Sequence, residues 1–263
     1  MKKNSCWYQA AVPLDHPLDR YYRIPGFLGS AEIDGRQMLY FEKSDATARL
    51  LKGLDLALIS EGDWEEKWRD YFRPTPFAGF TVVPPWLKGQ GDLIINPGRG
   101  FGTGRHETTL LVAETLRDLL ADRSLKSLLD VGTGSGILAI AAKKMRPDLA
   151  VTAIDNDPDA VENAAENLAR NGLAGRVRLS LTPLSRFRRP YDIVVANIIS
   201  GTLRELSGEL RKKTLSYLLL SGILLTERDD LLPRLDTAGF RLLSSGVRGE
   251  WVSLLFKRWH GKR

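Results

Sequence analysis

Three glycines at alternate positions follow an apolar stretch and mark a candidate ligand-binding loop. The segment "KSLLDVGTGSG" contains Gly132, Gly134 and Gly136, and glycine lets a backbone turn sharply and approach a ligand closely. A helix predicted directly behind the loop offers free N–H groups at its first turn. Ile137 and Leu138 stand where a dinucleotide fingerprint has its third glycine. The spacing therefore favours a nucleoside whose anionic end is a carboxylate over NAD.

An acidic side chain ends the next predicted strand, "AVTAID". Asp155 lies 23 positions after Gly132, where a carboxylate can accept two hydrogen bonds from a ribose diol. Asn156 and Asp157 are then placed to flank an adenine. Asp157 also precedes Pro158, as the N-cap of a helix does, and we favour the cap for Asp157 and the ribose contact for Asp155.

An asparagine ends the apolar segment "YDIVVAN". Ligands of open α/β sheets bind beyond the carboxyl ends of the strands, so Asn197 is predicted to face the ligand crevice. Its side-chain carbonyl, with neighbouring backbone carbonyls, can accept hydrogen bonds from an amine. The alternative is that Asn197 caps the following helix.

A second glycine-rich segment, "GRGFGTGRHETT" at 98–109, precedes the first by about twenty residues. It could serve a second ligand or another end of the same one, and we predict that it folds back over the site as a lid. His106 is a candidate general base, although a structural role in fixing this loop by hydrogen bonds is the stronger interpretation.

The elements that must position these residues alternate between strands and helices after residue 120. This alternation predicts a mostly parallel sheet with helices on both faces. The last two strands, "FRLLSSGVRG" and "EWVSLLFKR", are joined by a short turn, which permits only an antiparallel pair. A helix is predicted for "RDDLLPRLDTAG". Near the N-terminus, prolines and glycines are expected to interrupt regular structure between the strands "WYQAAV" and "RQMLYFEK".

Bulk properties narrow the class of protein. The 263 residues carry a net charge of +6 and a pI near 9.4, which favours an anionic partner such as nucleic acid, or else a solvated basic surface. One cysteine and three scattered histidines predict neither a disulfide nor a metal site. No apolar run suits a membrane span or a signal peptide, and we expect a cytoplasmic protein.

The glycine loop, the acid and the asparagine together resemble class I S-adenosylmethionine-dependent methyltransferases. The ordered segments "DWEEKWRDYFRP", "INPGRGFGTGRHETT", "LLDVGTGSGILAIAA", "IDNDPDAVENAAENLARNG" and "YDIVVANIISGTLREL" are similar to the bacterial PrmA family, over roughly 61–256. That family methylates amino groups of the large-subunit ribosomal protein eleven.

The resemblance implies an α/β, Rossmann-like sheet with one antiparallel strand near its C-terminal edge, and S-adenosylmethionine as cofactor. It implies cofactor contacts at Thr109, Gly132, Asp155 and Asn197, with three residues over the methionine end: Phe101, Gly102 and Thr103. We add Asp130, Gly134, Gly136 and Asn156 to the predicted cofactor-binding set, and assign Asn197 as the catalytic residue.

The predicted domains are a small α+β substrate-recognition domain at 1–60, a linker helix and hinge at 61–79, and the methyltransferase domain at 80–263. The expected partner is a basic ribosomal protein, near ribosomal RNA, bound by a monomer. The alternative is a methyltransferase for another protein, RNA or a small molecule. Two features depart from the family: "GTGTHPTT" appears here as "GTGRHETT", which introduces Arg105 and Glu107, and the N-terminal region, ferredoxin-like in the family, is short.

Overall fold

The computed structural model describes residues 6–13, 16, 21, 24–33, 36–60, 73–96 and 104–259. The chain divides into two compact units, Met1–Phe72 and Arg73–Arg263, so the boundary falls inside the predicted linker at 61–79. The predicted helix at 61–72 and the residues Phe101, Gly102 and Thr103 lie outside the described residues.

The N-terminal unit contains a four-stranded antiparallel sheet of order β2-β3-β1-β4. Its elements are β1 (Cys6–Pro13), β2 (Phe27–Ile33), β3 (Arg36–Glu42), α1 (Asp45–Leu50) and β4 (Leu56–Ser60). Ser44 caps α1 by accepting a hydrogen bond from the Thr47 N–H at 3.0 Å, a usual role for serine at a helix N-terminus. The sheet buries Leu39, Phe41 and Leu51 in a core of its own.

Strand β2 corrects the expectation of an interrupted stretch between β1 and β3. Gly26 adopts a φ of +85°, and the Phe27 N–H donates to the Ile24 carbonyl at 3.1 Å. The proline and glycine at 25 and 26 therefore form a turn that delivers the chain to the edge of β3, rather than abolishing the strand that follows.

The C-terminal unit is built on a seven-stranded sheet of order β10-β9-β8-β11-β12-β14-β13. Its strands are β8 (Ser127–Val131), β9 (Ala150–Ile154), β10 (Arg178–Ser180), β11 (Tyr191–Asn197), β12 (Thr214–Leu224), β13 (Phe240–Arg248) and β14 (Trp251–Arg258). Strands β8 to β12 pair in parallel, and β14 is antiparallel to both of its neighbours. The predicted sheet, with one antiparallel strand near its C-terminal edge, is confirmed.

Helices cover both faces of this sheet. They are α2 (Glu107–Leu119), α3 (Ile137–Met145), α4 (Pro158–Arg170), α5 (Ser200–Lys212) and the short α6 (Arg228–Leu231). One apolar core lies under α2, α3 and α4, and a second lies under α5 and α6. A smaller sheet of β5 (Thr75–Phe77), β6 (Phe80–Val83) and β7 (Leu93–Ile94) precedes them.

The helix predicted for "RDDLLPRLDTAG" is shorter than expected. After α6 the chain forms a single 3-10 turn at Leu232–Arg234, because Pro233 has no N–H to continue an α-helix. In the described part of the chain, no helix combines the length and apolarity needed to span a bilayer.

Candidate cofactor and substrate site

The glycine loop after β8 adopts a backbone that favours glycine at all three positions. Gly132, Gly134 and Gly136 have φ values of +72°, +53° and +80°, in the left-handed region that side chains disfavour. Gly136 is the N-cap of α3, and a Cβ there would lie 3.1 Å from the Cβ of Ala164. The loop therefore turns directly into a helix N-terminus, an arrangement suited to an anionic ligand group.

Asp130 lies beneath the loop rather than at its surface. Its side chain is fully buried, and Oδ2 accepts a 2.6 Å hydrogen bond from the Thr133 hydroxyl. The pKa of Asp130 is raised to about 6, because burial, together with the nearby charge of Asp155, outweighs the opposing effect of the Thr133 hydrogen bond. Asp130 thus supports the loop from below, and its predicted contact with the cofactor stays a prediction.

Asp155 ties the end of β9 to the glycine loop. Oδ2 accepts from the Gly134 N–H at 2.9 Å, and Oδ1 accepts from the Asp157 N–H at 3.1 Å. The side chain is half-buried, and each carboxylate oxygen keeps a second lone pair. Asp155 is therefore held rigidly while it remains able to accept hydrogen bonds from a diol.

The two neighbours of Asp155 have different environments. Asp157 is the N-cap of α4 and accepts from the Asp159 N–H at 2.9 Å, which agrees with the favoured interpretation. Asn156 is exposed beside this cap, so its side chain is available to a ligand.

Asn197 ends β11 and points its amide into a buried position. Nδ2 donates to the hydroxyl of Thr109 at 3.3 Å, while Oδ1 is buried without a hydrogen-bond partner among the described residues. Helix α5 begins with Ile199 as its N-cap, so the alternative of a capping asparagine is wrong. An unpartnered buried carbonyl is costly, and a donor from a bound substrate would remove that cost.

Ile198 fixes the direction of the chain after Asn197, and two glycines make its position possible. A Cβ on Gly132 would lie 2.3 Å from Cγ2 of Ile198, and a Cβ on Gly222 would lie 2.3 Å from the Ile198 carbonyl oxygen. Gly222 has a φ of +86° at an irregularity in the pairing of β12 with β14. Gly222 was not singled out from the sequence, because its partner is 24 positions away and no local pattern marks it.

Two buried asparagines, one on α4 and one just after it, hold residues 94–96, which precede the first glycine-rich segment. Asn167 donates to the Ser135 carbonyl at 2.9 Å and accepts from the Asn96 N–H at 2.7 Å. Asn171 exchanges hydrogen bonds with the N–H and carbonyl of Ile94, at 3.0 and 2.7 Å. Sequence reasoning missed both residues, although polar residues on the buried face of an amphipathic helix are a usable signal.

Helix α2 presents Thr109 to Asn197, and the hairpin between β13 and β14 supports it. His106 is the N-cap of α2, with Nδ1 2.8 Å from the Thr108 hydroxyl, and its ring meets Trp251 edge-on at 4.9 Å. Arg248 donates to both carboxylate oxygens of Glu114. Burial lowers the pKa of His106, against the opposing charge of Glu107. The capping contact and the lowered pKa of His106 both favour a structural role for this residue over that of a general base.

Arg105 is exposed and Glu107 half-buried at the start of α2. The carboxylate of Glu107 lies close to the turn between the last two strands, where a Cβ on Gly249 would be 3.9 Å from it. These departures from the family pattern therefore change the surface next to the His106 cap, while Thr109 keeps its buried position.

The carboxyl ends of β8, β9 and β11 thus bring together the glycine loop, Asp155 and Asn197, with Thr109 added by α2. The donor set fits S-adenosylmethionine, since the glycine loop excludes side chains next to a helix N-terminus and the buried Asn197 Oδ1 lacks a donor. Within the described residues, no cluster of histidine, cysteine or acidic side chains suits a metal ion. Fold and site together define a class I S-adenosylmethionine-dependent methyltransferase.

Comparison with known proteins narrows this class. The profile of the family described as "Ribosomal protein L11 methyltransferase (PrmA)" matches residues 13–259. A ribosomal protein L11 methyltransferase of Desulfotalea psychrophila is 39% identical over 209 residues, which are 76% of this chain and 69% of that protein. One of Sorangium cellulosum is 46% identical over 180 residues, which are 65% of this chain and 56% of that protein.

A solved structure agrees with these sequence matches. The crystal structure of a ribosomal protein L11 methylase from Lactobacillus delbrueckii subsp. bulgaricus is similar at a TM-score of 0.60 and 30% identity. The similarity covers 68% of this chain and 95% of that one. The chain belongs to the ribosomal protein L11 methyltransferase family.

The contact at Gly222 generates a first prediction. Gly222→Ala and Gly239→Ala both place a side chain at a φ near +80°, but nothing lies within 4 Å of a Cβ at Gly239. Left-handed strain costs each variant about 1 kcal/mol. Overpacking against Ile198 is expected to lower the free energy of unfolding of Gly222→Ala by at least about 1 kcal/mol more, as measured by urea unfolding. The same variant is expected to show less methyl transfer. Equal losses in the two variants would contradict the close approach.

The buried carboxyl generates a second prediction. The pKa of Asp130 rises from 3.8 to about 6 on folding, so between these values the folded chain binds the proton more tightly than the unfolded chain. The free energy of unfolding therefore falls as pH rises through this window, by on the order of 3 kcal/mol from this group. Asp130→Asn is expected to remove that dependence, compared by urea unfolding at about pH 4.5 and about pH 7.5. Parallel pH profiles for the two proteins would refute the assignment.

Proposed function

We propose that the chain is an S-adenosylmethionine-dependent protein N-methyltransferase that methylates lysine or N-terminal amino groups of ribosomal protein L11. The observation that carries the proposal is the buried, unpartnered Oδ1 of Asn197 at the carboxyl edge of the sheet. Such an acceptor suits an N–H donor, and an amine nucleophile supplies one. Family membership supports the choice of a ribosomal protein.

The residues proposed to hold the cofactor are those of the glycine loop together with Asp155, Asn156 and Thr109. Asp155 accepts from the ribose diol, and the N–H groups at the start of α3 face the carboxylate. We propose that Phe101, Gly102 and Thr103 cover the methionine end. Both described flanks of their segment support this, since Asn96 is bound by Asn167 and a Cβ on Gly104 would be 2.7 Å from Cδ1 of Ile137.

The cofactor supplies a methyl group on a sulfonium, a leaving group that needs no protonation. The protein's own task is to position and desolvate an amine whose lone pair is free. A lysine has an ordinary pKa near 10.4, and burial favours its neutral form. Asn197 Oδ1 then accepts one N–H of that neutral amine and orients its lone pair. No general base is required, which agrees with the structural role of His106.

We also propose that the N-terminal unit recognises the protein substrate, that 61–79 is a hinge and that the remainder is the catalytic domain. An independent core in the N-terminal unit supports a separate role. Cytoplasmic location, a monomeric state and proximity to ribosomal RNA are further proposals that follow from a ribosomal substrate.

Transfer of a radiolabelled methyl group tests the function. Incubation with purified ribosomal protein L11, with ribosomal RNA and with an extract lacking both is expected to label L11 alone. Label in RNA alone, or in the extract alone, would support the alternative substrates and contradict the proposal. Absence of label in every fraction despite cofactor binding would contradict enzymatic activity itself.

Substitutions of Asn197 and Asp155 are predicted to impair different steps, turnover in the first case and cofactor binding in the second. Asn197→Ala should lower kcat about 100-fold, as loss of a positioned hydrogen-bonding group does, and should weaken the binding of S-adenosylhomocysteine by a smaller factor. Asp155→Ala should raise that Kd about tenfold or more through lost hydrogen bonds to the ribose.

Asp157→Ala is the matched control for Asp155→Ala. It removes a neighbouring carboxylate that caps α4, so it should cost about 1 kcal/mol of stability and leave the Kd unchanged, as calorimetry would report. A normal Kd in Asp155→Ala would refute the ribose contact. Equal losses of kcat and cofactor affinity in Asn197→Ala would refute its role in positioning the amine.

A further inference from the structure

A run of unbalanced positive charge surrounds the edge strand β10. Residues 174–191 contain five arginines and no acidic residue. Four of them, Arg178, Arg186, Arg188 and Arg189, line one cavity of about 280 Å³ with Thr182 and Tyr191. We call these four residues the arginine surface. None of them has a role in the cofactor site described above.

The loop that carries three of these arginines is held firmly from inside. Leu184 and Phe187 are buried, and the Phe187 N–H donates to the Leu184 carbonyl at 3.2 Å. The ammonium group of Lys213 donates a hydrogen bond to the Phe187 carbonyl. The side chains of Arg186, Arg188 and Arg189 are exposed on this anchored turn, so the backbone that carries the positive charges has a fixed location.

The arginine surface differs from three exposed arginines elsewhere in this unit. Arg117, Arg228 and Arg234 each pair with an acidic side chain, at 3.1, 2.8 and 2.5 Å. Within the described residues, the arginine surface forms no ion pair. One of its guanidinium groups, that of Arg178, makes a cation–π contact with the Phe187 ring at 5.6 Å. Clustered like charges without counter-ions repel one another, and an anionic partner relieves that repulsion.

The geometry points to phosphate groups as that partner. Guanidinium groups bind phosphate through paired N–H donors, whereas a polypeptide substrate with a net positive charge is repelled by them. The rings nearby offer little surface for stacking on bases, because Phe187 is buried and Tyr191 is half-buried, with its hydroxyl donating to Thr152 at 3.2 Å. Recognition through backbone phosphates alone carries no sequence preference.

We propose that the arginine surface binds the phosphate backbone of RNA. The choice of RNA over other phosphate polymers rests on the proposed ribosomal substrate. Arg178 on the edge strand and the three arginines of the loop line the same cavity, so all four would contact phosphates of one bound strand.

The test is fluorescence anisotropy with a labelled single-stranded RNA of mixed sequence, titrated at several salt concentrations. The triple variant Arg186→Ala, Arg188→Ala, Arg189→Ala is expected to bind at least tenfold more weakly. Its slope of log affinity against log salt should fall by about 2, since each phosphate contact on a single strand contributes about 0.7. A second RNA of unrelated sequence should bind equally well.

The matched control removes the same charge from paired arginines: Arg117→Ala, Arg228→Ala, Arg234→Ala. It should bind RNA within about twofold of the wild type, because the charge it removes is already balanced. The double variant Arg188→Glu, Arg189→Glu provides a second test if the triple variant does not fold. The thermal midpoint and the Kd for S-adenosylhomocysteine should be unchanged in every folded variant.

Several results would overturn the proposal. They are an RNA affinity equally reduced in both triple variants, competition by inorganic phosphate as strong as by RNA, and binding of polyglutamate as tightly as RNA. Methyl transfer to L11 in the same preparations separates this proposal from the proposed function. The Arg186→Ala, Arg188→Ala, Arg189→Ala variant is expected to lose RNA binding and to keep methyl transfer to L11. A wild-type protein that binds RNA but does not methylate L11 would contradict only the proposed function.

Discussion

The site depends on one close passage of the backbone, in which Ile198 runs between Gly132 and Gly222. A Cβ on either glycine would approach Ile198 to 2.3 Å, well inside van der Waals contact. Close-packed interiors do not absorb such overlap, so this arrangement requires glycine on both sides. Because Asn197 precedes Ile198 directly, the same passage sets where the Asn197 amide lies. The Ile198 N–H donates to the Ser221 carbonyl at 3.1 Å, which locks the segment to β12.

A second constraint comes from polar groups buried beneath the ligand crevice. Asn167 and Asn171 satisfy backbone groups of segments more than 70 positions away in the sequence, and Asp130 holds Thr133. Buried polar networks of this kind specify a single arrangement, because any alternative leaves donors or acceptors unpaired. Among the described residues, three buried side-chain oxygens depart from this pattern, the Oδ1 atoms of Asp130, Asn163 and Asn197. That of Asn197 lies at the carboxyl edge of the sheet, while the amide nitrogen of the same side chain is bound to Thr109.

The sequence predicts the parts of this structure that rest on local pattern. Alternating apolar strands and amphipathic helices predicted the sheet and its single antiparallel strand, and the Asp-Pro pair at 157–158 predicted the cap of α4. Residues that act through distant partners were not predicted. Gly222 lies within an apolar strand, and Trp251 meets His106 across 145 positions of sequence. Strand β2 was missed because a turn and a break use the same residues, and only its pairing with β3 distinguishes them.

The proposed reaction also explains why position 197 carries an amide and not a carboxylate. A carboxylate next to a lysine amine would stabilise the ammonium form and raise its pKa, which removes the lone pair that must attack. An amide oxygen accepts the same hydrogen bond without a full negative charge, so it orients the neutral amine with a smaller shift toward protonation. The carboxylates of the site lie instead at Asp130 and Asp155, one fully buried and one bonded to the backbone of the glycine loop. The chain thus keeps its negative charge on the side of the glycine loop and presents a neutral acceptor to the nucleophile.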